Sequence, residues 1–567
     1  MPYNILAINP GHNGSACLLV DGEVVYYAEE ERLSRMKYDG NPFRAMLECL
    51  QSYPVDELIL GGTSPEFSKL PWTMEDAYTA LVRKFNPKVL VTNMGHQHHL
   101  GHAAGAFYNS GFDEALAVIV DGAGSFHSTT TGPDGTGNTV GGYETESVYK
   151  CSYPVNFEPL YKRYSDGRTD YFNNGVQEFD NSVTITKAYE AVSHYLGFGY
   201  IEAGKTMGLA PYGKANATIP DFFVEGKGNK NLLLPMYPAG SNIDENRFPA
   251  LQRTQEPKEW HNNFSKVKDI DRDLAWKIQQ ESQQMVCGLI ENAVASTGIK
   301  NVVIAGGYGL NCVANYYYKD RLKDINLYVD PISHDGGTAM GLAKLGWYVY
   351  NNTAPKNPLK HIYLGAAPNY SILDNILKQI SGIKTQSADI NDVADLLVNG
   401  NIVSLFHGRP EGGPRALGNR SILFDPRRPD GKDFVNRVKG REWFRPFAAS
   451  VMEEHADEWF EMRGLKSSPF MMYAINLSAK RIGDVPSVTH VDGTCRVQTV
   501  NEADNLFYYR LIEAFYKKTG VPMVFNTSFN LAGDPLVETL VDAVNTIIGS
   551  DIKYLYLPDI GKLLVKE

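Results

Sequence analysis

The sequence predicts an α/β fold, and three observations lead there. Short apolar runs open into glycine turns: "NILAINPGHNG" at 4–14, "ALAVIVDGAGS" at 115–125 and "NVVIAGGYGLN" at 301–311. Helical segments, such as 184–197 and 272–297, lie between them. The chain has 567 residues, more than one core supports, so roughly two to four domains are expected. Strands that alternate with helices and end in glycines place a ligand at the strand ends.

Taken in order, the opening reads as strand, turn, strand: "NILAINP", "GHNG", then "SACLLVDGEVVYYAEEE" with Asp21-Gly22 as a hairpin turn. "HQHHLGHAAG" at 96–105 holds four of the 13 histidines, and the Ala106 and Phe107 that follow mark it as the start of a buried helix. On that helix His98 and His102, four apart, share one face, and His99 with His102 is a second possible pair. Such a pair reads equally as a metal grip or as two hydrogen-bonded core imidazoles. Residues 214–270, polar and rich in Gly, Pro and Asn, read as an insertion. "YNNTAPKNPLKHIYLG" at 350–365 breaks the pattern and marks the main boundary. A second α/β unit follows, with strands near 401–408, 446–452 and 521–528.

Composition is that of an ordinary soluble protein, 43% hydrophobic and 21% charged. A formal charge of −11 and a pI near 5.7 argue against general nucleic-acid binding. The six cysteines are far apart, which fits free thiols in a reducing compartment. No run reaches the roughly 18 apolar residues of a membrane span, and the start lacks the features of a signal peptide. A cytoplasmic protein without a membrane partner is expected, and a homodimer is compatible with this composition.

Glycine turns let backbone N–H groups approach phosphate oxygens. Gly11, Asn13 and Gly14 form one candidate cradle, and Gly122 and Gly124, beside Asp121, form a second. Gly306, Gly307 and Asn311 would meet a nucleoside. Two phosphate loops followed by an adenosine loop is the layout of the actin-like ATPase fold, which implies ATP. In "DPISHDGGTAMG" at 330–341, Asp335 either favours a helix N-terminus or joins His98, His102 and Asp121 around one divalent ion. Two imidazoles and two carboxylates suit Fe²⁺, Mn²⁺ or Zn²⁺ better than Mg²⁺. His12 sits in the first glycine turn, where a ring has no packing role, and reads as a general base or phosphate contact.

From Arg409 to Arg445 there are ten Lys/Arg against five Asp/Glu. Arg427 and Arg428 look solvated. Arg415, Lys439, Arg441 and Arg445 are interleaved with Pro, Gly, Trp and Phe, and buried cations need an anion. A small phosphorylated or carboxylated substrate satisfies that need. "THVDGTCRVQTV" and "FNTSFN" add Arg496, Asn526 and Ser528 as donors for the same anion.

"HHLGHAAGAFY", "GPRALGNRSIL", "VKGREWFRPFA", "RVQTV" and "NTSFN" together resemble the O-carbamoyltransferase family of nodulation-factor and antibiotic carbamoylating enzymes, over essentially the whole chain. The resemblance implies an actin-like (Kae1-like) domain over 1–355, similar to the universal tRNA-threonylcarbamoylation protein. Over 356–567 it implies a YrdC-like domain, similar to the threonylcarbamoyl-AMP synthases. It further implies that Arg415, Lys439, Arg441, Arg445, Arg496, Asn526 and Ser528 bind carbamoyl phosphate. Phosphate is lost there, and the carbamate attacks the α-phosphate of ATP to give carbamoyl-adenylate and pyrophosphate. The adenylate then meets an ion held by His98, His102, Asp121 and Asp335, with Fe²⁺ the first choice and Mg²⁺ accompanying ATP. A hydroxyl on a sugar, natural product or nucleoside, deprotonated with help from His12, takes the carbamoyl group. The family favours His98 with His102 over the other histidine pair.

One departure is "GRPEGGPRALG", where Pro410 and Gly412 replace a Met and a Phe while Glu411 and Arg415 are kept. Two other readings meet opposition in the sequence. Threonylcarbamoyl transfer to tRNA is opposed by the acidic chain. A non-catalytic ATP-binding module is opposed by the intact His98, His102, Asp121, Asp335, Lys439 and Arg496.

Overall fold

The apolar alternation at the amino terminus folds as an antiparallel meander of β1 (Asn4–Asn9), β2 (Ser15–Val20) and β3 (Glu23–Glu29). Asp21 and Gly22 both have positive φ, 48° and 83°, as a tight hairpin turn requires. β4 (Glu57–Leu60) and β5 (Leu90–Asn93) extend the sheet in parallel on the other side of β1, giving the order β3-β2-β1-β4-β5. The computed structural model describes residues 2–63, 74–129, 140–166, 172–173, 176–180, 182–238, 240–247, 251 and 267–567.

A second sheet repeats that plan. Its central strand, Glu114–Val120, has Val140–Ser152 and then Asn156–Ser165 antiparallel on one side. On the other side Asn301–Ala305 and Asn326–Val329 run parallel to it. Two copies of one five-strand order make the duplicated ribonuclease-H-like arrangement of actin-like ATPases. The central strands explain their position: Ile5 to Ile8 and Ala115 to Val120 are wholly buried and apolar, so both sheet faces need covering.

Two helices supply part of that cover. His98–Ser110 packs on the second sheet and Gly337–Tyr350 on the first, and the two also pack on each other. Their crossing is made of small residues. A Cβ at Gly341 would stand 2.0 Å from the carbonyl oxygen of Gly101 and 2.6 Å from the amide nitrogen of Gly105. Only a bare backbone permits that approach, which brings the start of one helix beside the start of the other.

The chain divides into two units, Met1–Glu30 with Tyr38–Leu359 and Glu31–Lys37 with Lys360–Glu567. In the first, the segment read as an insertion folds as two small hairpins, Phe223–Val224 with Lys227–Gly228 and Leu233–Met236 with Gly240–Ile243. It is tied to helix Asp269–Thr297, where Asp273 accepts from the Lys214 amide at 2.9 Å and Glu281 from the Phe222 amide at 2.7 Å. Residues 239, 248–250 and 252–266 of this segment lie outside the described residues.

The second unit is built on a nine-stranded mixed sheet. Its middle strands, Val403–Phe406, Arg420–Phe424, Met523–Ser528 and Ala448–Met452, are almost wholly buried, and Thr494–Val500 and Ala474–Asn476 complete one edge. Helix Gly431–Lys439 ends at Gly440, whose left-handed φ of 66° stops it and turns the chain.

Gly341→Ala forces a methyl into the backbone of the facing helix. Overpacking of this kind destabilises by about 1–3 kcal/mol or more. A lowered thermal midpoint with loss of the packed helix pair is expected; an unchanged midpoint contradicts the glycine crossing.

Candidate active site

In the first unit His98 opens its helix. No side chain of Gln97 caps that end; instead the His98 amide donates to Ser125 Oγ at 3.4 Å, and the Ser125 hydroxyl donates to the Gly95 carbonyl at 3.0 Å. Ser125, to which the sequence assigns no role, therefore fixes where the histidine face begins. The Nε2 atoms of His98 and His102 lie 3.2 Å apart. His98 Nε2 is 3.5 Å from Asp121 Oδ2 and 3.7 Å from Asp335 Oδ1, and His102 Nε2 is 3.9 Å from Asp335 Oδ1. All four side chains are buried, and one donor atom from each falls within 4.8 Å of the others. Donors bound to one ion at about 2.0–2.2 Å span up to about 4.4 Å, so the group is close to a coordination shell.

The charges are consistent with that reading. Two ring nitrogens facing each other at this distance cannot both carry a proton. Burial opposes charge on His98, but Asp335 and Asp121 prevail and raise it to about 10. Burial, reinforced by His98, lowers His102 to about 3, leaving a neutral imidazole with a lone pair to offer. Burial also works to raise Asp335, yet His12 and His98 bring it down to about 2 against the push of Asp121. His99 takes no part: its Nδ1 is 2.7 Å from Ser147 Oγ, and burial lowers it to about 4. The helix thus presents the His98–His102 pair.

Asp121 follows the central strand of the second sheet. Its Oδ1 accepts the Gly307 amide at 3.0 Å, which leaves Oδ2 aimed at His98. Gly306 makes this possible: with φ 87°, a side chain there would meet the Val120 carbonyl oxygen at 2.3 Å. His12, in the turn after β1, is half-exposed, and its Nδ1 lies 3.5 Å from Asp335 Oδ2. One carboxylate therefore faces both the buried histidines and the accessible one.

The glycine turns differ from the expected phosphate cradles. The Gly11 amide donates to the Gly40 carbonyl at 2.9 Å and the Gly14 amide to Asp39 at 2.8 Å, with Asn13 between them at φ 58°. The Gly124 amide donates to Glu144 at 2.7 Å. These donors are committed to closing loops. Asn311 is also engaged, because it caps helix Cys312–Arg321 through the Ala314 amide and exchanges two hydrogen bonds with Gln279 at 3.0 and 3.2 Å. Gly122 faces a pair the sequence reading missed: a Cβ there would lie 2.8 Å from Glu190 Oε1 and 3.6 Å from Lys187 Nζ. Lys187 and Glu190 are bonded at 2.7 Å. At i,i+3 on a helix, nothing in the sequence separates such a pair from a surface one.

In the second unit Lys439 ends its helix buried. Its ammonium donates to the Ser528 carbonyl, to Asn530 Oδ1 at 3.1 Å and to Ser528 Oγ at 3.3 Å. The turn at Gly440 delivers Arg441, which donates to Thr527 Oγ1 at 3.3 Å and stands 5.0 Å over the Phe447 ring. Burial, Arg441 and Arg445 together push Lys439 well below its ordinary range. Burial, Arg445 and Arg496 do the same to Arg441, with Arg415 adding to the effect and Glu442 opposing it. The fold therefore brings Arg415, Arg445 and Arg496 within electrostatic reach of Arg441, and Arg441 and Arg445 within reach of Lys439. Glu442, 3.5 Å from Arg445, is the acid that counters them most directly.

Asn526 serves this group indirectly. It is wholly buried, and its amide donates to the Ala416 carbonyl at 3.1 Å and to Ser450 Oγ at 2.9 Å, holding the residue next to Arg415. Glu411 Oε1 accepts the amides of Leu417, Asn419 and Arg420 at 2.6, 2.8 and 3.2 Å, closing the same loop from inside. Pro410 and Gly412 clip it to 362–365: the Pro410 carbonyl accepts from Leu364 and Gly365, and the Gly412 amide donates to Ile362 at 2.6 Å. Arg427 and Arg428 pair with Asp425 and Asp430 at 2.6 and 3.2 Å.

A Lys439 depressed in the folded state means the unfolded chain holds more protons. The group therefore lowers stability at neutral pH, and the penalty shrinks as pH climbs toward the ordinary lysine value near 10.5. Sulfate should relieve the penalty at pH 7 and raise the melting temperature more in the native protein than in Lys439→Met. Equal responses to sulfate contradict an anion-binding role for Lys439.

The sequence descriptions Carbamoyltransferase N-terminus and Carbamoyltransferase C-terminus match residues 63–344 and 394–565. The chain is 30% identical to nodulation protein NolNO of Sinorhizobium fredii, over 98% of this chain and 79% of that protein. It is 33% identical to nodulation protein U of Rhizobium tropici, over 93% of this chain and 91% of that one. Among solved structures, full-length HypF in its phosphate- and nucleotide-bound form aligns with 62% of this chain and 47% of its own, at 12% identity and a TM-score of 0.36. The chain belongs to the carbamoyltransferase family and is an O-carbamoyltransferase.

Proposed function

We propose that the two units divide one ATP-dependent reaction. The cation cluster around Lys439 binds carbamoyl phosphate, water hydrolyses it there to carbamate and phosphate, and the carbamate oxygen attacks the α-phosphate of ATP, displacing pyrophosphate and forming carbamoyl-adenylate. The first unit then transfers the carbamoyl group to a hydroxyl of a small-molecule acceptor. The observation that carries this reading is the gathering of Arg415, Lys439, Arg445 and Arg496 around Arg441, where burial and mutual repulsion hold Lys439 and Arg441 well below their ordinary ranges. Such a cluster favours a compact, multiply charged anion.

His98, His102, Asp121 and Asp335 fit a divalent metal, because a neutral imidazole, a second imidazole and two carboxylates converge out of water. Fe²⁺, Mn²⁺ or Zn²⁺ suits that donor set. When bound, the metal would counter the charge that builds on the departing AMP phosphate. The remaining work falls to the chain itself. Carbamate is a poor acyl donor because its carbonyl is conjugated with an anionic oxygen; esterifying that oxygen to AMP creates a leaving group. His12, accessible and held by Asp335, takes the proton of the attacking hydroxyl at its free ring nitrogen. The turn at Gly122, backed by Lys187 and Glu190, shapes the neighbouring wall.

Six buried free thiols support a reducing, cytoplasmic setting, and among the described residues no helix is long and apolar enough to cross a membrane. Three outcomes test the division of labour. Lys439→Ala abolishes pyrophosphate release that depends on carbamoyl phosphate. His12→Ala keeps that release and slows carbamoyl transfer by about 10²–10⁴-fold, the range of a lost general base. His98→Ala lowers bound metal, read by elemental analysis, and slows transfer without stopping pyrophosphate release. Loss of pyrophosphate release in His12→Ala contradicts the scheme.

A further inference from the structure

Seven residues from the amino-terminal region, Glu31–Lys37, belong to the second unit. Within that unit Arg32 is 3% exposed, and its two terminal nitrogens donate to the carbonyls of Glu411 and Gly413. Arg32 also lies 4.0 Å from Glu538, whose carboxylate is buried with it. Three residues on, Arg35 donates to the carbonyls of Leu536 at 2.6 Å and Pro535 at 2.9 Å, and stands 3.6 Å from Asp542. Both arginines therefore grip main-chain oxygens of loops more than 370 residues away.

The loop Arg32 grips is the one that carries Arg415. Gly413 has φ 77°, so the chain turns sharply between the two clamped carbonyls and the cation. Glu411 ties the far end of the loop by taking the amides of Leu417, Asn419 and Arg420. The planar guanidinium spans two carbonyls in one geometry, which a lysine ammonium does not. Resting on the proposed use of carbamoyl phosphate, we propose that Arg32 is a positioning residue for the anion pocket. By clamping Glu411 and Gly413 it sets the height of Arg415, so the pocket of the second unit is completed by a strap from the amino-terminal region.

The test uses the full-length protein carrying Arg32→Ala and Arg32→Lys, with carbamoyl-phosphate-dependent pyrophosphate release and the thermal midpoint as readouts. The Michaelis constant for carbamoyl phosphate is expected to rise about tenfold in the alanine variant and about threefold or more in the lysine variant. That for ATP should stay within about twofold, as expected for a lost contact to one substrate. An unchanged constant for carbamoyl phosphate in either folded variant overturns the proposal. So does a proportional rise in both constants tracking a fall in the midpoint, or failure of both variants to fold, since each makes the clamp merely structural. If the native protein releases no pyrophosphate with carbamoyl phosphate, the substrate reading is what fails. Sulfate affinity measured by calorimetry then tests the clamp alone, and equal affinity in the native and Arg32→Lys proteins overturns it.

Discussion

Positive charge gathered around the buried Lys439 sets the terms for the second unit. Each buried ion carries a desolvation penalty of several kcal/mol unless partners offset it. Glu442 is the nearby acid that opposes the repulsion among Arg415, Lys439, Arg441, Arg445 and Arg496. Lys439 is bound by a carbonyl, a hydroxyl and an amide oxygen, all neutral. Asn526 and the Glu411 carboxylate bind the backbone beside Arg415 and hold that loop in place.

The first unit solves the opposite problem. Its histidines and carboxylates balance one another, and what must be enforced is proximity. The glycine crossing of the two helices brings His98 and His102 to Asp335, while the duplicated sheet brings the other two groups. His12 follows the central strand of the first sheet and Asp121 the central strand of the second, so two topologically equivalent turns face one carboxylate. This is the strand-end placement expected of α/β sheets.

The sequence made some of this readable and hid the rest for physical reasons. His98 and His102 were visible because helical spacing alone puts them on one face, and Asp121 and Asp335 because each stands beside a glycine turn. Helical spacing alone leaves His98 and His99 tied; the family resemblance favours His98, and Ser147, 48 residues from His99, holds the other ring in the folded chain. The amides of Gly11, Gly14 and Gly124 looked available because their carbonyl partners at 39, 40 and 144 come from other segments. Asn311 reads the same whether it meets a ligand or caps a helix. Lys187, Glu190 and Arg32 gave no signal, since their importance lies in partners that only the folded chain supplies. In the second unit the density of arginines was plain, but which of them pair locally, as Arg427 and Arg428 do, is a matter of packing.

In the proposed reaction, carbamate oxygen becomes bonded to the phosphorus of AMP before the carbamoyl group moves on. Carbamoyl phosphate bearing heavy oxygen in its carbonyl group tests this directly, with mass analysis of the AMP released during turnover. The account predicts that the label appears in AMP, because carbonyl–oxygen cleavage in the transfer step leaves that oxygen on phosphorus. Unlabelled AMP, with all the heavy oxygen in the carbamoylated product, would contradict it.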